Sequence, residues 1–246
     1  MTAAPDGLVM AELTNVVKEF DLRHTRSIKE YIVWWATGRR GQLSDNFNAL
    51  DDVSFTITQG ESVALLGFNG SGKSTTLKLV SGVMLPDSGS VRVRGRIAGL
   101  IEVGAGIHPD LTGRENVYLN RAILGLSEQQ VDERFDSIVA FSGIEKFIDT
   151  EVKFYSSGMY MRLAFAVAVH TDPDLFLVDE VLAVGDEPFP RKCIAKMKEL
   201  RAAGQTLMVV SHDLELIKDI CERGIVLEHG RVVHDAPIVE AVDFLR

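Results

Sequence analysis

The stretch GFNGSGKS, residues 67–74, decides how the rest of this chain is interpreted. It fits the pattern G-x-x-x-x-G-K-[ST] and stands between the apolar run 62–66 and a segment of helix-forming composition. Strand, glycine-rich loop and helix in that order are the context in which this pattern indicates phosphate binding rather than an ordinary turn. The glycines let the loop wrap with its amides turned inward, where they and the helix N-terminus can bind phosphate oxygens. The pattern therefore predicts a phosphate site formed by Gly67, Phe68, Asn69, Gly70, Ser71, Gly72, Lys73, Ser74 and Thr75.

Short apolar runs predict the sheet that carries this loop. They do not alternate with polar residues, as is typical of strands buried on both faces of a parallel sheet, and they lie at 62–67, 174–180, 206–212 and 224–230. Helical segments separate them, so the fold class is α/β with helices covering the sheet. Before residue 60 the pattern alternates with period two, which indicates an antiparallel sheet. The stretch of about 112–170 is mostly helical, and TGRE (112–115) has the form of a capping box.

Composition limits the functions that need to be considered. The chain has 246 residues, 46% hydrophobic and 25% charged, which is typical of a globular protein with a sizeable core. No apolar run reaches the ~18–20 residues needed to cross a bilayer, and the N-terminus does not resemble a secretory signal. Two cysteines outside any CxxC pair argue against a disulfide framework or a zinc site. A net charge of −9 argues against general nucleic-acid binding.

Further candidate residues follow the apolar runs. Lys73 is expected to neutralise phosphate charge, and the Ser74 hydroxyl to ligate Mg²⁺. In LFLVDE, residues 175–180, Asp179 can approach Mg²⁺ from the strand end, and Glu180 stands where the attacking water needs orienting or deprotonating. An acidic pair after a strand is often only a turn or a helix cap, but the phosphate loop favours the catalytic interpretation.

Two other stretches are ordinary by themselves and informative beside the loop. His212 ends the apolar run 206–212, at the sheet edge that is expected to carry the loop, so a γ-phosphate contact is predicted. Ser156, Ser157 and Gly158 stand directly before an apolar helix. Serine there is common helix capping, yet an unobstructed N-terminus is also a second anion site. One nucleotide could be held between the two sites.

Taken together, these motifs resemble the ATPase subunits of ABC transporters. GFNGSGKS corresponds to Walker A, LFLVDE to Walker B, YSSGM (155–159) to the signature, His212 to the H-loop and LAVGD (182–186) to the D-loop. The resemblance implies one ATPase domain over 1–246, a P-loop NTPase of ABC type. Its parts are a mostly parallel core sheet, an N-terminal antiparallel subdomain and a helical subdomain.

The resemblance also implies ATP, Mg²⁺ and a homodimer. In the family, two nucleotide-binding domains pair head to tail, and each ATP lies between Walker A of one chain and the signature of the other. The residues carried over to ATP binding or the interface are Tyr155, Ser156, Ser157, Gly158, Met159 and Asp186.

This chain departs from the family pattern at several positions. Ser157 replaces the usual glycine of the signature, and Met159 replaces the usual glutamine. Glu102 stands near the position of the Q-loop glutamine, which makes it a candidate contact to ATP or the metal. The family stacks adenine on an aromatic after the first strand; this points to Phe20, with Phe47 as the alternative.

One branch of the family matches these details. VGAGIHPDLTGREN, YSSGM and AVGDEPFPRKC resemble exporters of lipid-linked polysaccharides, including O-antigen, teichoic acid and capsule, and within that branch the galactan exporters of actinobacteria. The resemblance implies a subunit on the cytoplasmic face of the cell membrane, attached peripherally to a separate dimeric permease. The exported substrate is then a polyprenyl-linked glycan.

An apparent insertion at about 21–46 contains both tryptophans of the chain. Ile28, Tyr31, Ile32 and Trp35 recur at helical spacing, and arginines and lysines surround them. Such a helix could pack on its own domain, or Tyr31, Trp34 and Trp35 could meet the permease or the lipid headgroups. The resemblance favours the second interpretation, because exporters of this kind carry a short helix here.

Three other functions remain as alternatives. A soluble ABC protein of translation or DNA repair generally has two ATPase domains per chain or a long coiled-coil insertion, and the sequence has neither. A P-loop kinase needs an acceptor pocket and does not need a signature helix. A non-enzymatic nucleotide sensor is disfavoured by Glu180.

Overall fold

The computed structural model describes residues 7–22, 45–99, 106–124, 127–179 and 188–246. The strands within these ranges are β1 (Val9–Leu22), β2 (Asp45–Thr58), β3 (Ser62–Leu66), β4 (Ser88–Val93), β5 (Ile97–Gly99), β6 (Leu175–Val178), β7 (Thr206–Val209), β8 (Arg223–Glu228) and β9 (Arg231–Pro237). The helices are α1 (Lys73–Val80), α2 (Gly113–Leu124), α3 (Glu128–Ser142), α4 (Ser157–Val169), α5 (Pro188–Ala202), α6 (Leu214–Ile220) and α7 (Ile238–Phe244). Two 3-10 turns, Glu145–Phe147 and Val152–Phe154, lie between α3 and α4.

The core sheet has the strand order β5-β6-β7-β3-β8-β9. Its first five strands are parallel, and β9 pairs antiparallel with β8. Successive residues of one strand enter different hydrophobic clusters: in β6, Phe176 packs on one face and Leu177 on the other. Burial of both faces is the physical reason for the continuous apolar runs in the sequence. The prediction of parallel strands is therefore confirmed for β3, β6, β7 and β8.

A second sheet, of order β2-β1-β4, is antiparallel and covers one face of the core sheet. Its apolar side chains, Leu13 and Val53 among them, share a buried cluster with Leu65 of β3 and Leu77 of α1. In the β1–β2 hairpin, Leu22 pairs with Asp45, so the strands extend two residues into each end of the predicted insertion. Residues 23–44, and with them the predicted amphipathic helix, lie outside the described residues.

Helices α2 to α4 occupy the stretch that the sequence marks as helical, and their starts follow from capping. The Thr112 amide donates to Glu115 Oε2 at 2.8 Å while the Glu115 amide donates to Thr112 Oγ1 at 3.1 Å, so the predicted capping box is present. Ser127 and Gln130 form a second capping box at the start of α3. These reciprocal bonds satisfy amides that a helix start otherwise leaves unpaired.

Helix α4 joins the helical region to the core sheet. Leu163 and Ala166 pack into the cluster formed with α2 and α3, whereas Phe165 and Val169 pack into the cluster on the core sheet. Phe165 also stacks on Phe141 of α3, with ring centroids 5.9 Å apart. Since α4 is apolar on two faces, it is fixed from both sides, and so is the position of its N-terminus.

Among the described residues, no helix is long and apolar enough to cross a membrane.

Candidate functional site

The glycine-rich loop between β3 and α1 is shaped by close backbone contacts. Gly67 has φ +141° and Gly72 has φ +106°, values that residues with a side chain rarely adopt. A Cβ at Gly67 would clash with the Leu227 carbonyl oxygen, and a Cβ at Gly72 would lie 2.6 Å from the Ala49 carbonyl oxygen. The loop therefore rests on β8 on one side and on β2 on the other. Its conformation is therefore constrained by contacts with the rest of the chain.

Lys73 is folded back over this loop. Its ammonium donates to the carbonyl oxygens of Gly67, at 2.6 Å, and Phe68, at 3.0 Å, and the residue is only 8% exposed. Helix α1 starts directly after Gly72, and its first turn contains no acidic residue. The Lys73 ammonium and the N-terminal end of the helix dipole thus lie together at this loop, an arrangement that favours phosphate binding.

A cleft of about 220 Å³ opens beside the loop. The loop and the start of α1 form one side of it, and the paired strands β1 and β2 contribute two aromatic rings. Phe20 and Phe47 are direct partners in the register of β1 and β2, and they are 37% and 46% exposed. The residues that line the cleft are Phe20, Phe47, Ala49, Asn69, Gly70, Gly72, Lys73, Ser74, Thr75, Val210 and His212.

The sheet order brings the other predicted residues to the same edge. Strand β7 lies between β6 and β3, and the Val210 amide after it donates to the Val178 carbonyl at 2.7 Å. Asp179 follows β6 and His212 follows β7, so both leave the carboxyl ends of strands next to the loop. His212 is exposed and lines the cleft, whereas Asp179 is half-buried one strand further on. Ligands of open α/β sheets bind at this end of the strands.

Oxygen donors suited to Mg²⁺ stand at this edge. The exposed Ser74 hydroxyl lines the cleft, and Asp179 supplies a carboxylate two strands from the loop. Hydroxyl, carboxylate, phosphate and water oxygens are the ligands that Mg²⁺ prefers. The residues present therefore fit such an ion.

The N-terminus of α4 is built differently. Ser156 is the N-cap, and its Oγ accepts from the Met159 amide at 3.2 Å. A Cβ at Gly158 would meet nothing closer than Ser156 Oγ, at 3.9 Å, so the space in front of this helix is open. Ser156 and Ser157 are exposed. Within the described part of the chain, none of residues 155–159 lines the cleft.

Tyr155 anchors this exposed N-terminus. Its hydroxyl donates to the Phe147 carbonyl at 2.7 Å, and a Cβ at Gly113 would collide with it. Burial of the phenol raises the pKa of Tyr155 above its ordinary value, so the hydroxyl keeps its proton and remains a donor. Tyr155 thus has a structural role that its place in the motif did not reveal.

Several predicted residues lie outside the described part of the chain. They are Tyr31, Trp34, Trp35, Glu102, Glu180 and Asp186. Two cleft residues, Ala49 and Val210, were not predicted. Ala49 is a small residue of β2 and Val210 an apolar residue directly after β7, and nothing in their local sequence separates them from ordinary core positions. Phe47 had been only the alternative to Phe20, but both line the cleft.

The profile of the ABC transporter family matches residues 50–183, and the chain belongs to this family. The ABC transporter protein AbcA of Aeromonas salmonicida is 48% identical over 76% of this chain and 61% of that protein. The O-antigen export system ATP-binding protein RfbB of Klebsiella pneumoniae is 43% identical over 89% of this chain and 90% of that protein. The teichoic acids export ATP-binding protein TagH of Listeria monocytogenes is 41% identical over 91% of this chain and 66% of that protein.

Solved structures agree with the family. An ATP-binding cassette solved as a dimer with ADP and phosphate matches with a TM-score of 0.73 and 25% identity, covering 93% of this chain and 99% of that one. The predicted α/β fold of ABC type is therefore confirmed. The chain spans only 61% of the Aeromonas protein and 66% of the Listeria protein.

Proposed function

We propose that this chain is the ATP-hydrolysing subunit that powers export of a lipid-linked polysaccharide through a separate membrane permease. One observation carries the enzymatic part of the proposal. The phosphate loop, Asp179 and His212 leave the carboxyl ends of three neighbouring parallel strands, and the adjoining cleft ends in two aromatic rings. A nucleotide triphosphate has a charged end and a flat end, and the cleft offers a partner for each.

In this proposal each described side chain has one task. Lys73 leaves the carbonyls of Gly67 and Phe68 to bind phosphate oxygens, since a charge-assisted bond to phosphate is stronger than one to a neutral carbonyl. Ser74 and Asp179 would hold Mg²⁺, which supplies charge neutralisation at the phosphates when it is bound. His212 contacts the γ-phosphate from the end of β7. Glu180, the next residue after Asp179, orients or deprotonates the attacking water.

The adenine is assigned to the hairpin rather than to a single ring. Phe20 and Phe47 are cross-strand partners and both line the cleft, so one base can contact the two rings together. Stacking on aromatic side chains contributes on the order of 1 kcal/mol. In this proposal Phe20, to which the family resemblance points, shares the stacking role with Phe47, its alternative.

The open N-terminus of α4 supports a homodimer. The space around Gly158 is open, and among the described residues none of 155–159 lines the cleft of its own chain. A second copy, placed head to tail, would bring Ser157 and Gly158 to the γ-phosphate and complete the site. The dimeric cassette solved with ADP and phosphate is consistent with this arrangement.

The substrate class is inferred from relatives. Proteins named for O-antigen export and for teichoic acid export are 43% and 41% identical to this chain. A lipid-linked glycan of O-antigen or galactan type is the proposed cargo, and teichoic acid or capsule is the alternative. A peripheral subunit on the cytoplasmic face of the cell membrane follows from this role.

Phosphate release from Mg-ATP tests the enzymatic part. We expect the purified wild-type chain to hydrolyse ATP, and hydrolysis to stop when EDTA removes Mg²⁺. Lys73→Ala should lose activity by roughly 10²-fold or more because the phosphate charge is no longer neutralised. Lys78→Ala is the control, since Lys78 lies on the same helix but does not line the cleft. Equal activity of the two variants would contradict the assignment.

Docking on the permease is tested in cells and in solution with one variant. Replacing Trp34 and Trp35 by alanine should leave the melting temperature within a few degrees of wild type and preserve ATP hydrolysis if these rings meet the permease or the lipid. Glycan export should then fail. If the rings are core residues, the two truncations cost about 3–5 kcal/mol each, and folding and activity are lost together. Export should be followed as lipid-linked glycan retained inside the cell.

A further inference from the structure

The turn between β8 and β9 lies directly behind the phosphate loop. It consists of His229 and Gly230, with φ +47° and +77°, while Glu228 pairs with Arg231 on either side. Positive φ at both central residues defines a type I′ hairpin turn, whose tip is rigid and short. Because β8 runs parallel to β3, this tip arrives beside the loop that follows β3.

Gly230 connects two elements of the cleft through its backbone. Its amide donates to the Ser71 carbonyl in the phosphate loop at 3.2 Å. Its carbonyl accepts from the Asp51 amide in β2 at 2.8 Å. A Cβ at Gly230 would lie 2.8 Å from the Ala49 carbonyl oxygen, so the turn and β2 are in direct contact.

A side-chain pair reinforces the same junction. Arg231, next to Gly230, donates to Asp51 Oδ2 from Nε at 3.0 Å and from Nη2 at 2.5 Å. A cavity of about 90 Å³ remains between the turn and the tip of the loop. Beside this cavity, the Gly230–Ser71 hydrogen bond joins the turn to the loop. We call Asp51, Gly230 and Arg231 the bracket.

The bracket contacts the elements that carry the two ends of the nucleotide cleft. On one side it holds Ser71, which precedes the start of α1 by two residues. On the other side it holds Asp51, four residues after Phe47 on β2. The aromatic end of the cleft and the phosphate end are thus tied to one rigid turn from a third part of the chain.

We propose that the bracket is a positioning element that sets the distance between the aromatic end and the phosphate end of the cleft, so that one nucleotide can occupy both. This rests on the proposed function, because it takes the two ends to be an adenine site and a phosphate site. None of the three bracket residues lines the cleft, so they act through Ser71 and β2 and are not catalytic residues.

The proposal separates two ligands that share a phosphate chain. ATP spans both ends, so its affinity depends on their alignment. Inorganic tripolyphosphate contacts only the phosphate loop, so its affinity depends on the conformation of that loop and not on the distance to the aromatic rings. A general loss of stability would weaken both ligands, whereas a change of alignment weakens ATP alone.

The first test compares two glycines with the same backbone conformation. Gly230 and Gly204 both have φ +77°. A Cβ at Gly204 would meet nothing within 4 Å, whereas a Cβ at Gly230 would meet β2. Gly230→Ala and Gly204→Ala therefore carry the same conformational cost, and only the first pushes the turn away from β2. Affinities for ATP and for tripolyphosphate are measured by calorimetry on each full-length variant, with a melting curve as the folding control.

We expect Gly230→Ala to weaken ATP by roughly tenfold and tripolyphosphate by less than about twofold, since small misplacements of binding groups have large effects. Gly204→Ala should leave both affinities unchanged. Equal weakening of the two ligands by Gly230→Ala, or the same ATP loss in Gly204→Ala, overturns the proposal. If the wild-type chain binds ATP no more tightly than tripolyphosphate, the adenosine adds no affinity, and the proposed adenine site itself is overturned.

A surface variant covers the case in which Gly230→Ala does not fold. The Arg231 side chain is 60% exposed, so Arg231→Gln should fold normally. It should weaken ATP by about two- to fivefold, in keeping with an exposed ion pair, and Arg231→Lys should restore part of the loss. Arg114→Gln, which breaks an Arg–Asp pair to Asp149 in the helical region, is the control and should leave ATP affinity unchanged. Identical ATP affinities for Arg231→Gln and wild type overturn the role of the pair.

Discussion

Two helix N-termini in this protein are candidates for binding phosphate, and they are built in opposite ways. Helix α1 starts at Gly72, whose left-handed backbone lies against β2, so the site is assembled by packing inside one chain. Helix α4 starts after Ser156, a side-chain cap in an exposed and open environment. The first site is finished when the chain folds. The second has an open helix start, and within the described ranges none of its residues 155–159 lines the cleft.

The difference between the two helix N-termini indicates how one chain can fold with only part of a nucleotide site complete. A loop held by two strands binds phosphate without outside help, because its amides are already oriented. An exposed helix start has solvated amides, and it binds strongly only when another surface excludes the water. We infer that ATP affinity belongs to the α1 end, and that hydrolysis requires the α4 end of a second copy. The following predictions test that division.

The largest effect is expected from a carboxylate at the open end. Gly158→Asp places a negative charge where the γ-phosphate of the partner's nucleotide should arrive, and hydrolysis should fall to background. ATP affinity of the monomer should stay within about twofold of wild type, because the loop around Lys73 is untouched. Phosphate release and calorimetric ATP binding are the two measurements. Equal loss of both would mean that the α4 start is only a structural cap.

Glu180→Gln should stop the reaction after both ends have closed on the nucleotide. We expect turnover to fall by roughly 10²-fold or more while ATP binding is retained, since the amide cannot act as a base. Unhydrolysed ATP should then hold two chains together, and light scattering should detect a dimer that the wild type forms only transiently. Near-normal turnover would remove Glu180 from this role. The double variant with Gly158→Asp should remain monomeric.

The third prediction compares the same substitution at both ends. Gly72→Ala forces a Cβ to within 2.6 Å of the Ala49 carbonyl oxygen at a φ of +106°, so we expect a stability loss of about 1–3 kcal/mol. ATP affinity should fall more than about tenfold, because the loop has to shift. Gly158→Ala meets open space and should be neutral or stabilising by up to about 1 kcal/mol. Urea unfolding measures the stability of the two variants, and ATP titration measures their affinity. Similar results at both positions would contradict the difference between the two helix N-termini.

The sequence predicts the parts of the site that follow from chain order. The loop, Asp179 and His212 each end an apolar run, and parallel strands place such ends at one edge, so their convergence could be expected before the structure. The capping box at Thr112 and Glu115 is equally local, since both partners lie within four consecutive residues. Local signals were sufficient in each case.

Features that depend on register were not predictable in the same way. Phe47 faces the same cleft as Phe20 because of the pairing of β1 with β2, which includes several register shifts. The sequence could only offer the two rings as alternatives. The contact of Gly230 with Ser71 joins residues far apart in the chain. The His229–Gly230 turn predicts a hairpin, but no local sequence pattern predicts what the turn will contact.

The smallest predicted effect concerns the C-terminal end of α4. Within this one helix the exposed N-terminus can be compared with the more buried C-terminus. His170 follows the last turn, and its Nδ1 lies 2.6 Å from the Ala166 carbonyl oxygen. Burial lowers the pKa of His170 below its ordinary 6.5, and the nearby charges of Lys196 and Arg134 lower it further, against the hydrogen bond to Ala166 and the charge of Asp172. The buried end therefore favours the neutral ring, whereas the exposed N-terminus of the same helix is expected to meet a charged ligand.

The sign of the pH effect follows from that shift. Well above pH 6.5 the imidazole is neutral in both the folded and the unfolded chain, and its contribution to stability is complete. As the pH falls below 6.5, the unfolded chain takes up the proton first, so the free energy of unfolding decreases, by at most about 1.4 kcal/mol per pH unit for one group. His170→Gln lacks the titrating imidazole, so its free energy of unfolding should fall less with pH. The difference in unfolding free energy between wild type and variant should therefore shrink from pH 8 to pH 5. Urea unfolding across that range measures it, and two curves that run parallel would show that His170 titrates alike in both states.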